Sequence, residues 1–293
     1  MLVAICATAA DKPQIENAKV ETHAFSGSLA AQLKGLGGGP LWAGYAEPMV
    51  PGRGDMCWQD GNGDWEPHHA DGVPVRLEGP TTMVVLLRVE NGSVERLKVT
   101  SADCRLDGGG LPFHWIDNVP ASASAEWLGS QANATTGQTD RWVYPLSLQA
   151  GSEAARELKS LATAGKTEHI RQQAVLFLSS SKAPGSMDTV LEVARKDASP
   201  KVRGRALFWI ARKVDPARAE SELRRAIKED AEKSVRDQAV SALRDIPEGR
   251  GIPALIEMAR REPDATLRKR AMTALEQSKD PRALEFFAEV LKN

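Results

Sequence analysis

The stretch Ile170-Arg171-Gln172-Gln173-Ala174 recurs three more times in the second half of the chain. The copies are Val202-Arg203-Gly204-Arg205-Ala206, Val235-Arg236-Asp237-Gln238-Ala239 and Leu267-Arg268-Lys269-Arg270-Ala271, at steps of 32, 33 and 32 residues. A fixed step of this size is typical of a solenoid, in which one supersecondary unit is stacked repeatedly. The repeat therefore predicts how this half is built, without naming a ligand.

Each repeat contains two predicted helices, A and B, of which B is the recurring stretch. Helix A has an anchor repeated at steps of 33, 32, 32 and 32 residues: Leu158, Leu191, Leu223, Leu255 and Phe287. The predicted inward residues of helix B lie on one side of the helix, since successive helical residues are 100° apart. In the first copy these residues are Ile170, Ala174, Phe177 and Leu178. N-cap and proline pairs mark helix starts at Ser199-Pro200, Asp215-Pro216 and Asp280-Pro281. The pattern predicts four AB pairs and a fifth A helix.

The arginine of each copy has two interpretations. The four residues are Arg171, Arg203, Arg236 and Arg268. As a row they would bind an acidic ligand. Three of them, however, follow an acidic residue by six positions (Asp197, Asp230 and Glu262), whereas Gly165 precedes the first. This spacing favours a structural ladder in which each arginine ties the turn between A and B to its neighbour, and such ion pairs stabilise more as a network than singly.

The turn and helix of the second copy, Ser199-Pro200-Lys201-Val202-Arg203-Gly204-Arg205-Ala206, resemble the HEAT-repeat family, in its short bacterial form described as lyase-like repeats. Residues 279–287 and the Phe208-Trp209 pair resemble a group of exported bacterial HEAT-repeat proteins. The resemblance implies an α-solenoid whose B helices line the concave side. HEAT arrays share an architecture rather than a chemistry, so no particular activity follows from it.

Composition divides the chain near residue 150. Residues 1–150 contain 10 Lys+Arg and 17 Asp+Glu, residues 151–293 contain 28 and 22, and six of the seven Trp and all three Cys lie in the first part. Parts this different are most simply two domains, which we place at 11–147 and 148–293. The excess of six basic residues in the second part is modest, and the bases alternate with acids. This pattern argues against nucleic-acid binding.

Residues 11–147 predict a small, strand-rich α/β module. A hairpin is predicted over residues 82–90 and 93–99, because Asn91-Gly92 adopts the positive φ angles of a type I′ turn. The second of these strands has a broken alternation, which allows a bulge. Further elements follow from apolar periodicity: strands at 19–26 and 41–46, and helices at 28–36 and 121–132. Most of the tryptophans are interpreted as the core of this module.

The first ten residues predict a secretory leader. Leu2–Ala10 is apolar, and Ala7-Thr8-Ala9 resembles a signal-peptidase site. No basic residue precedes the run, so we interpret residues 1–10 as a front-truncated signal; the alternative is a buried strand or a frayed end. Removal of the leader leaves Cys57 and Cys104, an even count that predicts one disulfide. We expect a periplasmic or secreted protein, and no segment approaches the ~18 apolar residues of a membrane span.

The loops of the first domain contain weak metal candidates. Asp60, Asn62 and Asp64 alternate as calcium ligands do, but position six is Trp65 instead of Gly and position twelve is Asp71 instead of Glu. A polar turn is the favoured interpretation. His68, His69 and His114 lack a metal-ligand spacing and are interpreted as surface imidazoles. We expect no cofactor.

A candidate partner surface lies on the outward side of the B helices. Leu176 and Phe208 occupy the same position in adjacent repeats and are predicted to lie side by side. With Arg205 they form the combination of aromatic and arginine that is typical of interface hot spots, and Arg244 lies further along the same side. The alternative is that neighbouring B helices or the first domain cover these positions.

The leading functional hypothesis is a non-enzymatic scaffold of the bacterial cell envelope or periplasm that binds another protein through the solenoid. The alternative is an enzyme or enzyme accessory, with metal-dependent or hydrolytic chemistry at the histidines of the first domain, or the lyase-like activity that the name of the repeats implies. Nucleic-acid binding by the basic half is a third hypothesis, and it requires the leader interpretation to be wrong.

Overall fold

The computed structural model describes residues 12–52, 56–57, 79–134 and 140–292, and the chain divides into two compact units, Met1–Leu158 and Lys159–Asn293. Several sequence-based candidates lie outside the described residues: the leader at 1–10, the calcium candidates Asp60, Asn62 and Asp64, and His68, His69, Trp58 and Trp65.

The first unit is built on a five-stranded sheet and a two-stranded ribbon. Its strands are β1 (Gln14–Glu16), β2 (Val20–Ala24), β3 (Leu41–Pro48), β4 (Thr82–Glu90), β5 (Ser93–Ser101), β6 (Arg105–Asp107) and β7 (Phe113–Asp117). The sheet has the order β2-β7-β3-β4-β5, with β7 parallel to both of its neighbours and β3, β4 and β5 antiparallel in sequence. Strands β1 and β6 form the parallel ribbon. The prediction of a strand-rich α/β module is confirmed.

The hairpin of β4 and β5 has the predicted turn and bulge. Asn91 and Gly92 adopt φ angles of 51° and 72°, as a type I′ turn requires. The register passes from Arg88 opposite Arg96 to Val89 opposite Val94, so one extra residue stands in β5. A β-bulge of this kind bends the strand locally and increases its twist.

Helices cover one face of the sheet and the ribbon covers the other. The helices are α1 (Leu29–Gly35), α2 (Ala121–Ala134) and α3 (Asp140–Leu148). A hydrogen bond of 3.0 Å between the Tyr45 and Ser124 hydroxyls joins β3 to α2. On the opposite face, Phe113 and Trp115 belong to a buried cluster that packs against Ile15 of β1 and Leu106 of β6.

Of the four tryptophans of this unit that the structure describes, three are buried and Trp42 is half-buried. The buried three are Trp115, Trp127 and Trp142. The rings of Trp127 and Trp142 meet edge to face with centroids 5.5 Å apart, which fastens α2 to α3.

Strand β7 was not predicted from the sequence. Its first four residues, Phe113 to Ile116, are all buried, because strands lie on both of its edges and other elements cover both of its faces. A strand buried on both faces lacks the alternation that reveals a half-buried strand. Strand β7 contains His114, one of the histidines that the sequence singles out.

The predicted disulfide joins Cys57 to Cys104, with Cα atoms 5.3 Å apart. The two residues are separated by 47 positions. Closing a loop of this length restricts the unfolded chain and stabilises the fold by on the order of 4 kcal/mol in the chain-entropy treatment.

A carboxyl group is buried between β3 and the helices. Glu47 is 1% exposed, and among the described residues neither its Oε1 nor the Oε1 of buried Gln149 has a hydrogen-bond partner. Burial raises the pKa of Glu47 to about 8, with hydrogen bonds from Gln149 and Ser124 partly offsetting this effect. Glu47 is therefore protonated at neutral pH. The proton gives the Glu47 carboxyl group a hydrogen-bond donor, whereas the ionised group could only accept.

The helical half contains the predicted four AB pairs and closing A helix. The A helices are α4 (Ser152–Ala164), α6 (Ser186–Lys196), α8 (Pro216–Glu229), α10 (Ile252–Arg261) and α12 (Pro281–Val290). The B helices are α5 (Glu168–Ser180), α7 (Pro200–Lys213), α9 (Lys233–Leu243) and α11 (Ala265–Ser278). Among the described residues, no helix has both the length and the apolar character needed to cross a bilayer.

Each B helix from α7 onward packs against its own A helix and against the B helices beside it, whereas α6 and α8 contact each other only sparsely, as do α8 and α10. The B helices therefore form the more tightly packed layer. This packing corrects the predicted inward face: Val175 is fully buried while Phe177 is half-buried. The neighbouring B helix widens the buried face beyond the stripe that a single A helix would cover.

Two details of the A helices and caps also differ from the prediction. In α12 the buried aromatic is Phe286, and Phe287 is half-buried, so the predicted anchor is wrong by one residue. Adjacent helical residues point about 100° apart, so only one of the two rings faces α10 and α11. Ser199 occupies the N-cap of α7, but its hydroxyl donates to Glu168 at 2.7 Å instead of capping the helix. Asp215 and Asp280 do cap α8 and α12.

We predict that Glu47 makes the first unit less stable as pH rises. Because its pKa is raised on folding, the folded state keeps a proton that the unfolded state loses, and stability falls between the unfolded value near 4.5 and about 8. The cost above this range is on the order of 5 kcal/mol. Denaturant unfolding of Glu47→Gln against wild type should show the variant gaining relative stability as pH increases from 5 to 8.5. A difference that is constant with pH would contradict the prediction.

Candidate functional site

The first two arginines of the repeat each bind two turns. The guanidinium of Arg171 donates to both carboxylate oxygens of Asp197, at 2.7 and 3.1 Å, and to the Gly165 carbonyl at 2.9 Å. Arg203 donates to both oxygens of Asp230, at 2.8 Å each, and to the Asp197 carbonyl at 2.8 Å. Each side chain therefore links the A–B turn of its own repeat to the turn of the next.

These two ion pairs are largely shielded from solvent. The side chains of Arg203 and Asp230 are 12% and 10% exposed. Burial raises the pKa of Asp230, but hydrogen bonds from Arg203 and the Glu232 backbone outweigh it and hold the pKa below its usual value. A bidentate pair in this environment is stronger than an exposed one because water screens it less.

The third arginine has no such pair. Arg236 donates to the carbonyls of Asp230 and Ala231, at 2.7 and 2.8 Å, and in the described part of the chain no carboxylate lies within 4.0 Å of its guanidinium. Glu262 stands where the partners of Arg171 and Arg203 are the aspartates Asp197 and Asp230, and Glu262 and Arg236 both line a cavity of about 560 Å³. Arg268 likewise donates to two turn carbonyls, those of Glu262 and Pro263.

Phe208 lies between two arginines on the outward side of α7. The guanidinium carbons of Arg205 and Arg212 lie 5.2 and 3.4 Å from the centre of its ring. Trp209 meets Phe208 edge to face at 4.9 Å. Cation–π contacts of this kind fix the ring at about 0.5–1 kcal/mol each where they are exposed to water. Phe208 is half-buried and Arg205 is exposed, so both remain accessible from solvent.

A shallow cavity of about 370 Å³ opens beside this ring. Its lining comes from three successive B helices, α5, α7 and α9: Gln172, Gln173, Lys201, Gly204, Arg205, Phe208 and Gln238. Gly204 has no Cβ, and a Cβ there would collide with the Gln238 side chain that lies over it. The cavity therefore combines amide donors and acceptors, two cations and one aromatic ring.

Two of the predicted surface residues lie outside this cavity. Leu176 is half-buried and is not among the described residues that line it. Arg244 hydrogen-bonds to Gln277 and to Asp245. Asp245 also pairs with Arg212 at 3.0 Å, and Arg212 contacts Phe208, so these two residues connect Arg244 to the ring. Sequence reasoning missed Arg212, although its spacing of four residues from Phe208 on a helix was a usable signal.

Residues 187–276 and 227–293 match the family profile of HEAT repeats. Residues 187–293, the greater part of the helical half, are HEAT repeats. Among solved structures, the CpcE–CpcF complex of phycocyanin lyase from Nostoc sp. PCC7120 is similar at 19% identity, covering 52% of this chain and 98% of that chain, with a TM-score of 0.39. Human deoxyhypusine hydroxylase in complex with glycerol is similar at 18% identity, covering 59% and 69%, with a TM-score of 0.36. No curated protein matches the chain.

Outside the HEAT array, the first unit brings two histidines together. His23 of β2 and His114 of β7 place Nε2 and Nδ1 2.8 Å apart, and Oε2 of Glu21 lies 3.9 Å from the same His114 nitrogen. His114 is 9% exposed. Burial lowers its pKa, and the neighbouring His23 lowers it further. The sequence singled out His114 but missed His23; the usable signal was Glu21 and His23 at alternate strand positions.

We predict that the bidentate ion pairs stabilise the HEAT array where they are complete. Asp230→Asn keeps the size of the side chain but leaves the shielded guanidinium of Arg203 without a charged partner. It should lower the free energy of unfolding by about 1–3 kcal/mol. Thermal and denaturant unfolding of the full chain measure this change.

The matched control is Glu262→Gln, since the Glu262 side chain forms no ion pair with Arg236. It should change stability by less than about 0.5 kcal/mol, as is usual for surface substitutions. Equal decreases in the free energy of unfolding of the two variants would show that the Arg203–Asp230 ion pair does not stabilise the array.

Proposed function

We propose that this HEAT-repeat protein is a non-enzymatic scaffold that binds a polypeptide partner through the outward side of α5, α7 and α9. The observation that carries the proposal is the Phe208 ring, held between Arg205 and Arg212 at the edge of a cavity built from all three helices. Arginine and aromatic side chains dominate the energetics of protein interfaces when a partner buries them.

The rigidity of the ring supports binding. A side chain that is already ordered loses little conformational entropy on association, and ordering costs about 0.5–1.5 kcal/mol for each mobile side chain at an interface. The Phe208 ring contacts the guanidinium groups of Arg205 and Arg212 and the indole of Trp209. The site is therefore preorganised in the free protein.

The lining of the cavity suggests the chemistry of the partner. Gln172, Gln173 and Gln238 each offer a donor and an acceptor, which suit the backbone of an extended peptide. Lys201 and Arg205 add positive charge beside an apolar ring. The best match is a segment in which an acidic residue stands next to an apolar one, because a carboxylate would pair with the cations while the apolar side chain covers Phe208.

We also propose that the protein works in the cell envelope or periplasm. The disulfide between Cys57 and Cys104 supports this, since such bonds persist in oxidising compartments and are rare in the cytosol. The apolar character of residues 2–10 also supports export. The alternative of metal-dependent chemistry in the first unit is favoured by one observation, the convergence of His23 and His114.

We predict that Phe208→Ser abolishes partner capture and preserves folding. The full chain would carry a photo-crosslinking residue at Lys201, on the rim of the cavity, in its native cells. A discrete adduct should form and should decrease at least about tenfold in the Phe208→Ser background, as expected for loss of a hot-spot residue. Mass spectrometry identifies the captured protein, and circular dichroism checks helical content.

Two controls make this experiment decisive. Phe287→Ser removes another half-buried phenylalanine, in α12, and should leave the adduct unchanged. A crosslinker at the exposed Lys228 of α8 should not give the same adduct. If Phe208→Ser lost its helical signal, or if the adduct formed equally from Lys228, the proposed surface would be wrong.

We predict that the protein isolated from its native cells contains the disulfide. Alkylation of free thiols under denaturing, non-reducing conditions should leave Cys57 and Cys104 unlabelled, and reduction should slow migration on a denaturing gel because the closed loop opens. A Cys57→Ser, Cys104→Ser variant provides the reference mobility. Complete labelling of both cysteines in freshly lysed cells would contradict the proposed compartment.

A further inference from the structure

Three potential metal ligands converge on the helix-covered side of the sheet in the first unit. Glu21 and His23 are two residues apart on β2 and therefore point to the same face. His114 stands opposite Glu21 on the parallel neighbour β7. The ligand atoms of all three side chains lie within 4.8 Å of one another.

Hydrogen bonding accounts for only part of this arrangement. The two imidazole nitrogens lie 2.8 Å apart, so one N–H satisfies that contact. The Glu21 carboxylate is 3.9 Å from the same His114 nitrogen, too far for a hydrogen bond. Two ligands of a tetrahedral zinc ion, each at about 2.0–2.1 Å from it, are roughly 3.4 Å apart. The His23–His114 distance would have to increase by about half an ångström, and the Glu21–His114 distance would have to decrease by about as much. Small side-chain rotations are enough for both changes.

We propose that Glu21, His23 and His114 form a binding site for a divalent transition-metal ion of the zinc class. Two imidazoles and one carboxylate favour zinc, copper, nickel or cobalt over calcium and magnesium, which prefer all-oxygen ligands. Three protein ligands leave a fourth position for water or a substrate.

The positions of the ligands suit such a site. His114 is buried in β7, a strand with neighbours on both sides, so its ring is held firmly. His23 is half-buried, and Glu21 is exposed on the edge strand β2, which gives an ion access from solvent. Glu21 forms an ion pair with the exposed Lys19 at 2.7 Å. Exposed pairs contribute little, so Lys19 offers only weak competition for the carboxylate.

Titration of the metal-free full chain with Zn²⁺ by isothermal calorimetry tests the proposal. The expected result is one equivalent bound with micromolar or tighter affinity. His23→Gln should weaken binding by at least about a hundredfold, a loss on the order of 3 kcal/mol. Glu21→Gln should weaken it by about tenfold. Loading with Co²⁺ supplies a second readout, since visible absorption of the intensity typical of tetrahedral cobalt should appear in wild type and be lost in His23→Gln.

The matched control is the double variant His68→Gln, His69→Gln, which removes two other histidines of the same unit. It should bind Zn²⁺ as wild type does. His114→Ala is avoided because the buried ring contributes to the core; thermal unfolding of metal-free His23→Gln confirms that the chosen variant folds. Absence of binding at 100-fold excess of Zn²⁺ over protein would overturn the proposal, as would binding that survives His23→Gln and is lost in the control.

Discussion

The B helices of the HEAT array pack closely because each has an alanine where a neighbouring helix approaches. Ala174, Ala206 and Ala239 have no exposed surface, and neither does Ala271 in the last copy. A larger side chain at these positions would force the helices apart, since close-packed interiors accommodate extra volume only by strain or backbone movement. The identical alanines therefore set the distance between neighbouring B helices. That distance in turn fixes how far apart the surface side chains of adjacent repeats lie.

Close packing of the B helices has two consequences for the polar residues. It brings successive A–B turns near enough for one guanidinium to reach the backbone of its own turn and the aspartate of the next, as in Arg171 and Arg203. It also places side chains from three helices around one cavity, so that Gln172, Arg205 and Gln238 line a common surface. The ladder and the candidate partner site are thus two results of the same spacing, one on the turns and one on the helix faces.

The repeated helices could be predicted from the sequence because the same local pattern occurs in every copy, and each copy supports the assignment of the others. The helix pairs and their caps at Asp215 and Asp280 follow from periodicity and local chemistry alone. The complete burial of Val175 and the partial burial of Phe177 did not follow, since they depend on which face the next B helix covers. The pairing of His23 with His114 was also beyond sequence reasoning, because 91 residues separate them and β7 lacks the alternation of a half-buried strand.

The polar groups of the first unit differ in kind from those of the array. The repeated arginines of the array donate hydrogen bonds to the backbone carbonyls of the turns, and they thereby stabilise the array itself. Glu47 and His114 instead occupy a buried layer where desolvation raises the pKa of the acid and lowers the pKa of the base. Apolar residues of similar size would fill that space at lower cost. Polar groups retained against such a cost are typical of functional sites, where local rules of folding are broken for the sake of chemistry. The proposed partner site assigns recognition to the array, and a search for chemistry should begin with Glu47 and His114 on the helix-covered side of the sheet.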